Sequence, residues 1–346
     1  MRRKVKCRWI VNGTMKKMAL FALIMAGMVS HSIAQQNIQF TQYMFNMLSV
    51  NPAYAGYKEN WNLQATSRLQ WQGLEGAPQT SQLSVDGVAD EDAKRMGLGL
   101  QFTNDKLGAQ SATSLYANYS YRLPLDEYGA NRLCLGLAAG VTQYGIDGSV
   151  LEAVNSDDPD LISDKLYSYI PDLRFGVFYN TPTWYAGLSF MDLLSGSKSN
   201  SIFNWQIDST ENIMRKPHYY FITGAIFDIS RDVKLRPSLL VKSDMKGPTS
   251  WDLSALFIIQ NRFWVGASYR TAAPELGINT TGTTSLSKTN SISGIVQFYV
   301  TESFCVGYSY DLTISKLSSV QNGTHEITIG WTFPRKYQRV LSPRFF

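Results

Sequence analysis

Apolar and polar residues alternate along this chain from about residue 61 to residue 333, in short stretches separated by turn-forming residues. The last stretch is the cleanest. Ile327, Ile329, Trp331 and Phe333 are large and apolar, and Thr328, Gly330 and Thr332 lie between them. A period of two is the mark of a strand with one apolar face. The same pattern predicts strands near residues 61–71, 80–87, 96–103, 112–123, 132–144, 172–180 and 183–191. It continues near 218–229, 232–242, 250–260, 262–270, 290–300, 303–312 and 324–333. These make about fourteen strands with no helix between them, an even number as a single-chain transmembrane barrel requires.

Two of the strands show what each face meets. Leu133, Leu135, Leu137, Ala139 and Val141 alternate with Arg132, Cys134, Gly136, Ala138 and Gly140. Val233, Leu235, Pro237, Leu239 and Val241 alternate with Lys234, Arg236, Ser238, Leu240 and Lys242. A Lys or Arg held in lipid near the midplane costs roughly 2–4 kcal/mol, so the charged face lines the interior. The fold class predicted for residues 60–334 is therefore all-β: a transmembrane antiparallel β-barrel with a polar lumen and an outer surface in contact with lipid. A soluble β-sandwich would alternate too, but the aromatic-rich final strand ending at Phe333 favours the barrel.

Connections are unequal. The long ones, about 146–170, 192–216 and 271–289, all follow odd-numbered strands and so share one rim. With a periplasmic N-terminus that rim is extracellular, because such barrels keep short turns on the periplasmic side.

The segment before the first strand behaves differently. Residues 36–56 carry no charge and do not alternate, and Tyr43, Met47 and Val50 recur at helical spacing. Asn51-Pro52 stops a helix there. Residues 35–59 are expected to form a short helix or extended arm, packed like a plug in or under the barrel mouth. Residues 335–346 form a short tail.

Residues 1–34 read as a cleaved secretion signal. Basic residues from Arg2 to Lys17 precede a twelve-residue apolar core, 18–29, and Ser32-Ile33-Ala34 supplies small residues for cleavage. Twelve residues are too few to span a bilayer as an uncleaved helical anchor. Met15 is an alternative start that leaves the same mature chain. Cys7 leaves with the signal, and no cysteine follows the apolar core, which argues against a lipoprotein anchor. The signal holds seven of the 32 Lys and Arg residues and none of the 27 acidic ones. Cleavage thus turns a formal charge of +5 into one of −2, and a basic nucleic-acid-binding face loses its support. Cys134 and Cys305 remain, both on lumen-facing positions of distant strands. Two thiols are neither a disulfide framework nor a metal cluster.

Catalytic and metal-binding patterns are weak. The mature chain has two histidines, His218 and His325, each at the start of a strand, where a residue at the membrane interface is the ordinary explanation. No nucleophile signature accompanies either. Residues 155–160 gather carboxylates in one loop but lack the spacing, central Gly and closing Glu of an EF-hand. Gly97-Leu98-Gly99 lies within a strand and precedes no helix, which excludes a phosphate-binding loop. No enzyme activity and no cofactor or metal is expected.

Several short segments, in order along the chain, carry a family resemblance. They begin with Gln39-Phe40-Thr41-Gln42-Tyr43-Met44 and Asn51-Pro52-Ala53-Tyr54-Ala55-Gly56, then Trp71-Gln72-Gly73 with Gly76-Ala77-Pro78-Gln79-Thr80. Asn104-Asp105, Tyr119-Ser120-Tyr121, Pro171-Asp172, His218-Tyr219-Tyr220 and Gly266-Ala267-Ser268-Tyr269-Arg270 follow. Gly307-Tyr308-Ser309-Tyr310-Asp311 and Gly323-Thr324-His325-Glu326-Ile327 complete the set. Together they resemble the PorP/SprF family, outer-membrane proteins of the type IX secretion system of Bacteroidota. The resemblance implies a surface role in export, or in gliding species in adhesin display. It also implies partners: secreted proteins with C-terminal sorting domains, and other secretion components on the periplasmic side. It brings no catalytic residues. Its site candidates are Asn51, Pro52, Ala53, Tyr54 and Gly56, whose plainer role is a rigid lead-in turn to the first strand, together with His325. A porin or a transporter of hydrophobic solutes would need the same wall, and the alternation by itself does not separate it from a secretion component.

Overall fold

The computed structural model describes residues 38–90, 93–150, 164–194, 217–244, 249–273 and 290–334. The segment expected to be a secretion signal, the acidic loop 155–160 and the expected tail from residue 335 lie outside the described residues.

The strands are β1 (Trp61–Leu69), β2 (Gln79–Val88), β3 (Met96–Leu107), β4 (Gln110–Pro124), β5 (Arg132–Asp147), β6 (Lys165–Asn180), β7 (Trp184–Met191) and β8 (His218–Ala225). After them come β9 (Phe227–Asp228), β10 (Val233–Ser243), β11 (Thr249–Ile259), β12 (Phe263–Ala273), β13 (Ser291–Tyr299), β14 (Phe304–Thr313) and β15 (Thr324–Phe333). Each pairs antiparallel with its neighbours in the chain, and β1 pairs with β15 from Trp61↔Phe333 to Leu69↔His325, which closes the ring. β9 is the end of β8, so the barrel has fourteen staves. The break has a local cause. The register Ser238↔Gly224 and Leu235↔Phe227 sets Pro237 opposite the end of β8, and proline has no N–H to give the ladder.

Alternation sorts the wall as the sequence predicts. Leu137, Leu253, Ile329 and Trp331 face outward and are exposed, whereas Arg68, Arg236, Asp311 and Glu326 face inward and are buried. An exposed apolar band around a polar interior is what a lipid-embedded barrel presents. The polar lumen has one exception. Ile222, Leu256, Ile258, Trp264 and Ile295 also point inward and are buried, in the half of the barrel nearer the short turns. β11 is thus apolar on both faces there, as in strands covered on both sides.

Strand lengths differ sharply. β4, β5 and β6 have 15, 16 and 16 residues, whereas β7 and β8 have eight each. The long connection expected at 146–170 is shorter, because β5 continues to Asp147 and β6 begins at Lys165. Across the outer face of this tall wall runs a level of Ser81, Asn104, Thr113, Gln143 and Tyr169, each opposite the next. Asn104 Nδ2 donates to Thr113 Oγ1 at 2.8 Å, and Gln143 Nε2 to Tyr169 Oη at 2.6 Å. The apolar period ends at this level, but the backbone ladder does not.

Candidate functional site

The interior is filled by the arm. Residues 38–60 run inside the barrel from the long-loop half to the short-turn mouth, where β1 begins. The helical spacing of Tyr43, Met47 and Val50 yields tight turns in place of an α-helix, with short 3₁₀ helices at Met47–Ser49 and Pro52–Tyr54. Tyr43, Met44, Met47, Leu48, Ala53, Tyr54 and Tyr57 are buried in a cluster with inward wall residues including Phe178, Tyr185, Ile222, Leu256 and Trp264. Phe45 meets Trp264 edge-on, with ring centroids 5.6 Å apart. Burying each such large side chain contributes roughly 1.5–3 kcal/mol. The arm is therefore the hydrophobic core of the molecule.

Its upper end is held by charge. Glu326 is fully buried and faces Arg68 across the β1–β15 ladder. The carboxylate accepts the main-chain N–H of Thr41 on Oε2 and that of Gln42 on Oε1, both at 2.8 Å. Arg68 donates to Glu326 Oε2 and to Asp311 Oδ2, each at 2.8 Å, and to the Thr41 hydroxyl at 2.9 Å. Thr41 Oγ1 donates in turn to Asp311 at 2.7 Å. Further along the wall, Arg270 binds Asp252 at 2.6 Å and donates to the carbonyl of Phe40 at 3.4 Å, and Arg236 donates to the carbonyl of Met44 at 3.0 Å. Glu326, Arg270 and Arg236 thus bind the main chain of the arm.

The lower end is held by shape. Asn51 caps its turn by accepting the N–H of Ala53 at 2.9 Å, while its Nδ2 donates to the carbonyls of Val177 at 3.0 Å and Leu188 at 3.3 Å. Ser120 donates to the carbonyl of Ala53 at 2.9 Å, and Ser189 to that of Val50. Tyr54 stacks on Tyr57 at 5.0 Å and meets Phe178 edge-on at 5.7 Å. Gly56, at φ +75°, turns the chain and donates its N–H to Asp86 Oδ2 at 2.9 Å. Four inward glycines admit the motif. A Cβ on Gly97 would overlap Ala55, one on Gly136 would overlap Ala53, and one on Gly176 or Gly187 would press on Asn51. Just below, Glu59 takes Lys94 at 2.9 Å and lies 3.4 Å from Arg132 and 3.7 Å from Arg122.

The structure therefore brings together Asn51, Pro52, Ala53, Tyr54 and Gly56, as a wedge seated in a glycine-lined notch. It leaves His325 apart. That residue lies on the outer face at the long-loop rim, with Nδ1 2.8 Å from the Tyr308 hydroxyl and the Tyr310 ring 5.0 Å away. His218 departs from the interfacial position expected of it: it points into the lumen, buried, 3.2 Å from Asp192. Arg68, Asp311, Glu326 and Arg270 were not among the sequence candidates. Their signal was present, since each is a charge on the polar face of a strand, but only the register makes them one cluster. Cys134 and Cys305 are not joined in a disulfide.

Beside the arm lies a cavity of about 90 Å³ lined by Phe40, Val50, Asp105, Tyr144, Arg174 and Lys242, among others. Among the described residues no group of three His, Cys, Asp or Glu side chains is placed to hold a metal ion.

Known structures share the fold at low identity. The chain resembles the CymD monoaromatic hydrocarbon channel, at a TM-score of 0.54 and 13% identity over 88% of this chain and 96% of that one. It resembles the Ralstonia pickettii toluene transporter TbuX less closely, at a TM-score of 0.48 and 11% identity over 85% and 93%. The first of these likenesses shows the fold, an outer-membrane type of barrel, and no more. No curated protein matches the chain. A family model does: that of the type IX secretion system membrane protein PorP/SprF matches residues 32–331, arm and barrel alike, and the chain belongs to that family.

Proposed function

We propose that this protein works in the outer membrane as a plugged barrel of type IX secretion, supporting export or surface anchoring of proteins with C-terminal sorting domains by contact with them. Family membership and the barrel support a secretion component over an enzyme. The observation that carries the reading is the arm. It runs through the lumen, and buried charges of the wall hold it, with Glu326 on Thr41 and Gln42 and Arg236 on Met44. In this reading residues 1–34 are removed on export, the long-loop rim faces outward to receive cargo, and the short-turn rim faces the periplasmic machinery.

The transport reading rests on the same wall and on the likeness to a hydrocarbon channel, which at 13% identity shows fold alone. Two measurements test the proposal. Culture-medium and cell-surface proteomes of a deletion strain should lose one or more large proteins with sorting domains, and unchanged proteomes would sink the secretion role. In planar bilayers the whole protein should be nearly silent, whereas deletion of residues 36–56 should give open channels. Steady conductance by the intact chain would favour the transporter.

A further inference from the structure

The tall wall ends abruptly. β6 pairs with β5 along its whole length, down to Asp147↔Lys165, but with β7 only from Phe175↔Phe190 to Asn180↔Tyr185. Beyond that, the N–H of Leu193 reaches the carbonyl of Leu173 at 3.1 Å. Among the described residues nothing pairs with the outer edge of β6 above this point. In an antiparallel strand the main-chain N–H and C=O of alternate residues point to opposite neighbours. Because Leu173 faces the β7 side, so do Lys165, Tyr167, Tyr169 and Pro171. Among the described residues the edge-facing N–H and C=O groups of Lys165, Tyr167 and Tyr169 therefore have no strand partner, and Pro171, with no N–H, ends the row. This is an exposed edge, a template for one more strand.

Three features say what fits it. The edge is level with Gln143 and Gly145 of β5, on the polar outer tier above the lipid, so it is reached from water on the long-loop side. It is preorganised, because β5 fixes it residue by residue, which lowers the entropy cost of binding. Tyr167 and Tyr169 are 57% and 66% exposed and flank the row with broad amphipathic rings, the side chains favoured at contact surfaces. A second copy does not fit an antiparallel ladder. Two barrels in one membrane share an orientation, so their β6 edges run the same way and cannot form an antiparallel ladder.

We infer that the β6 edge over Lys165–Tyr169 is a strand-addition site, taking an extended segment of a secreted partner antiparallel to β6. Main-chain bonds supply the affinity, and the two tyrosines contact the partner's outward side chains. This rests on the secretion reading above, and it names how cargo is held.

The test uses the full chain in its native cells, with a photo-crosslinking p-benzoylphenylalanine at Lys165, and at Tyr119 within the lipid band as a control. The expected adduct at 165, absent at 119, joins the barrel to a protein with a sorting domain, through a peptide in one of that protein's strands. Tyr167→Pro with Tyr169→Pro removes only edge-facing N–H groups and leaves the β5 ladder whole. That pair should cut the adduct about tenfold or more, while Tyr167→Phe with Tyr169→Phe should leave it within about twofold. Unchanged heat modifiability on gels shows that each variant is folded. An adduct only within the chain itself, or a cargo adduct indifferent to the prolines, would overturn strand addition while leaving the secretion role standing. Loss of the secretion role would be read separately, from unchanged proteomes in the deletion strain.

Discussion

Replacing Glu326 by alanine should unlatch the upper end of the arm and leave the lower end in place. The carboxylate holds three donors: the N–H groups of Thr41 and Gln42 and one guanidinium nitrogen of Arg68, each at 2.8 Å. Removing it leaves two buried main-chain donors without their acceptor, at a cost of about 1–3 kcal/mol each. Arg68 retains Asp311 at 2.8 Å, so the roughly 3–5 kcal/mol of a fully orphaned buried charge is not reached. A net loss of about 3 kcal/mol corresponds to about a hundredfold rise in the open population of this end of the arm. Amide hydrogen exchange on the protein in nanodiscs reads it directly. Thr41 and Gln42 should exchange about a hundredfold faster in Glu326→Ala. Ala53 and Tyr54, anchored independently by Asn51 and Ser120, should stay within about twofold. Unchanged rates at Thr41 and Gln42 would refute the latch, and an equal rise along the whole arm would refute its division into two anchors.

Three further outcomes are expected. Gly136→Val drives a side chain into Ala53 and should destabilise the plugged state by about 1–3 kcal/mol, seen as a lower gel-shift melting midpoint and channel events in bilayers. Asn51→Ala strips the carbonyls of Val177 and Leu188 of a donor and the Ala53 N–H of its acceptor, so the same midpoint should fall by about 1–3 kcal/mol equivalent. In the β4–β5 turn, the N–H of Asn131, with those of Ala130 and Gly129, holds the exposed Asp126 carboxyl below its ordinary value. A depressed folded value means that this contribution is present above the unfolded pKa of about 4 and lost as pH falls through the lower folded one. Ala130 and Asn131 amide signals should therefore shift on acidification in the native chain and stay flat in Asp126→Asn.

The fold was legible because lipid imposes a strict rule on sequence. Every strand that faces hydrocarbon must be apolar at alternate positions, and Leu133 to Val141 or Ile327 to Phe333 display that rule without help from distant residues. Fourteen staves and the inward placement of Lys242 and Arg236 followed from it. The rule stops at the lipid surface. Gln143, Gly145, Tyr167 and Tyr169 continue the ladder in water, where no apolar period is required, and the extra height of β5 and β6 was invisible in the pattern. The two-sided apolar run of β11 hinted that something covers its inner face, but not what.

The chain by itself determined which residues meet lipid, that an uncharged segment precedes the barrel, and that a rigid turn lies at Asn51-Pro52. Only the tertiary structure decided that this segment fills the lumen. The physical reason is separation along the chain. Thr41 meets Glu326 across 285 residues, and Asn51 meets Val177 across 126, and no local periodicity records such pairs. Barrel closure brings β15 against β1, and with it Glu326 and Asp311 against Arg68. Glycines that read as gaps in four strands become one notch only when those strands curve around the arm.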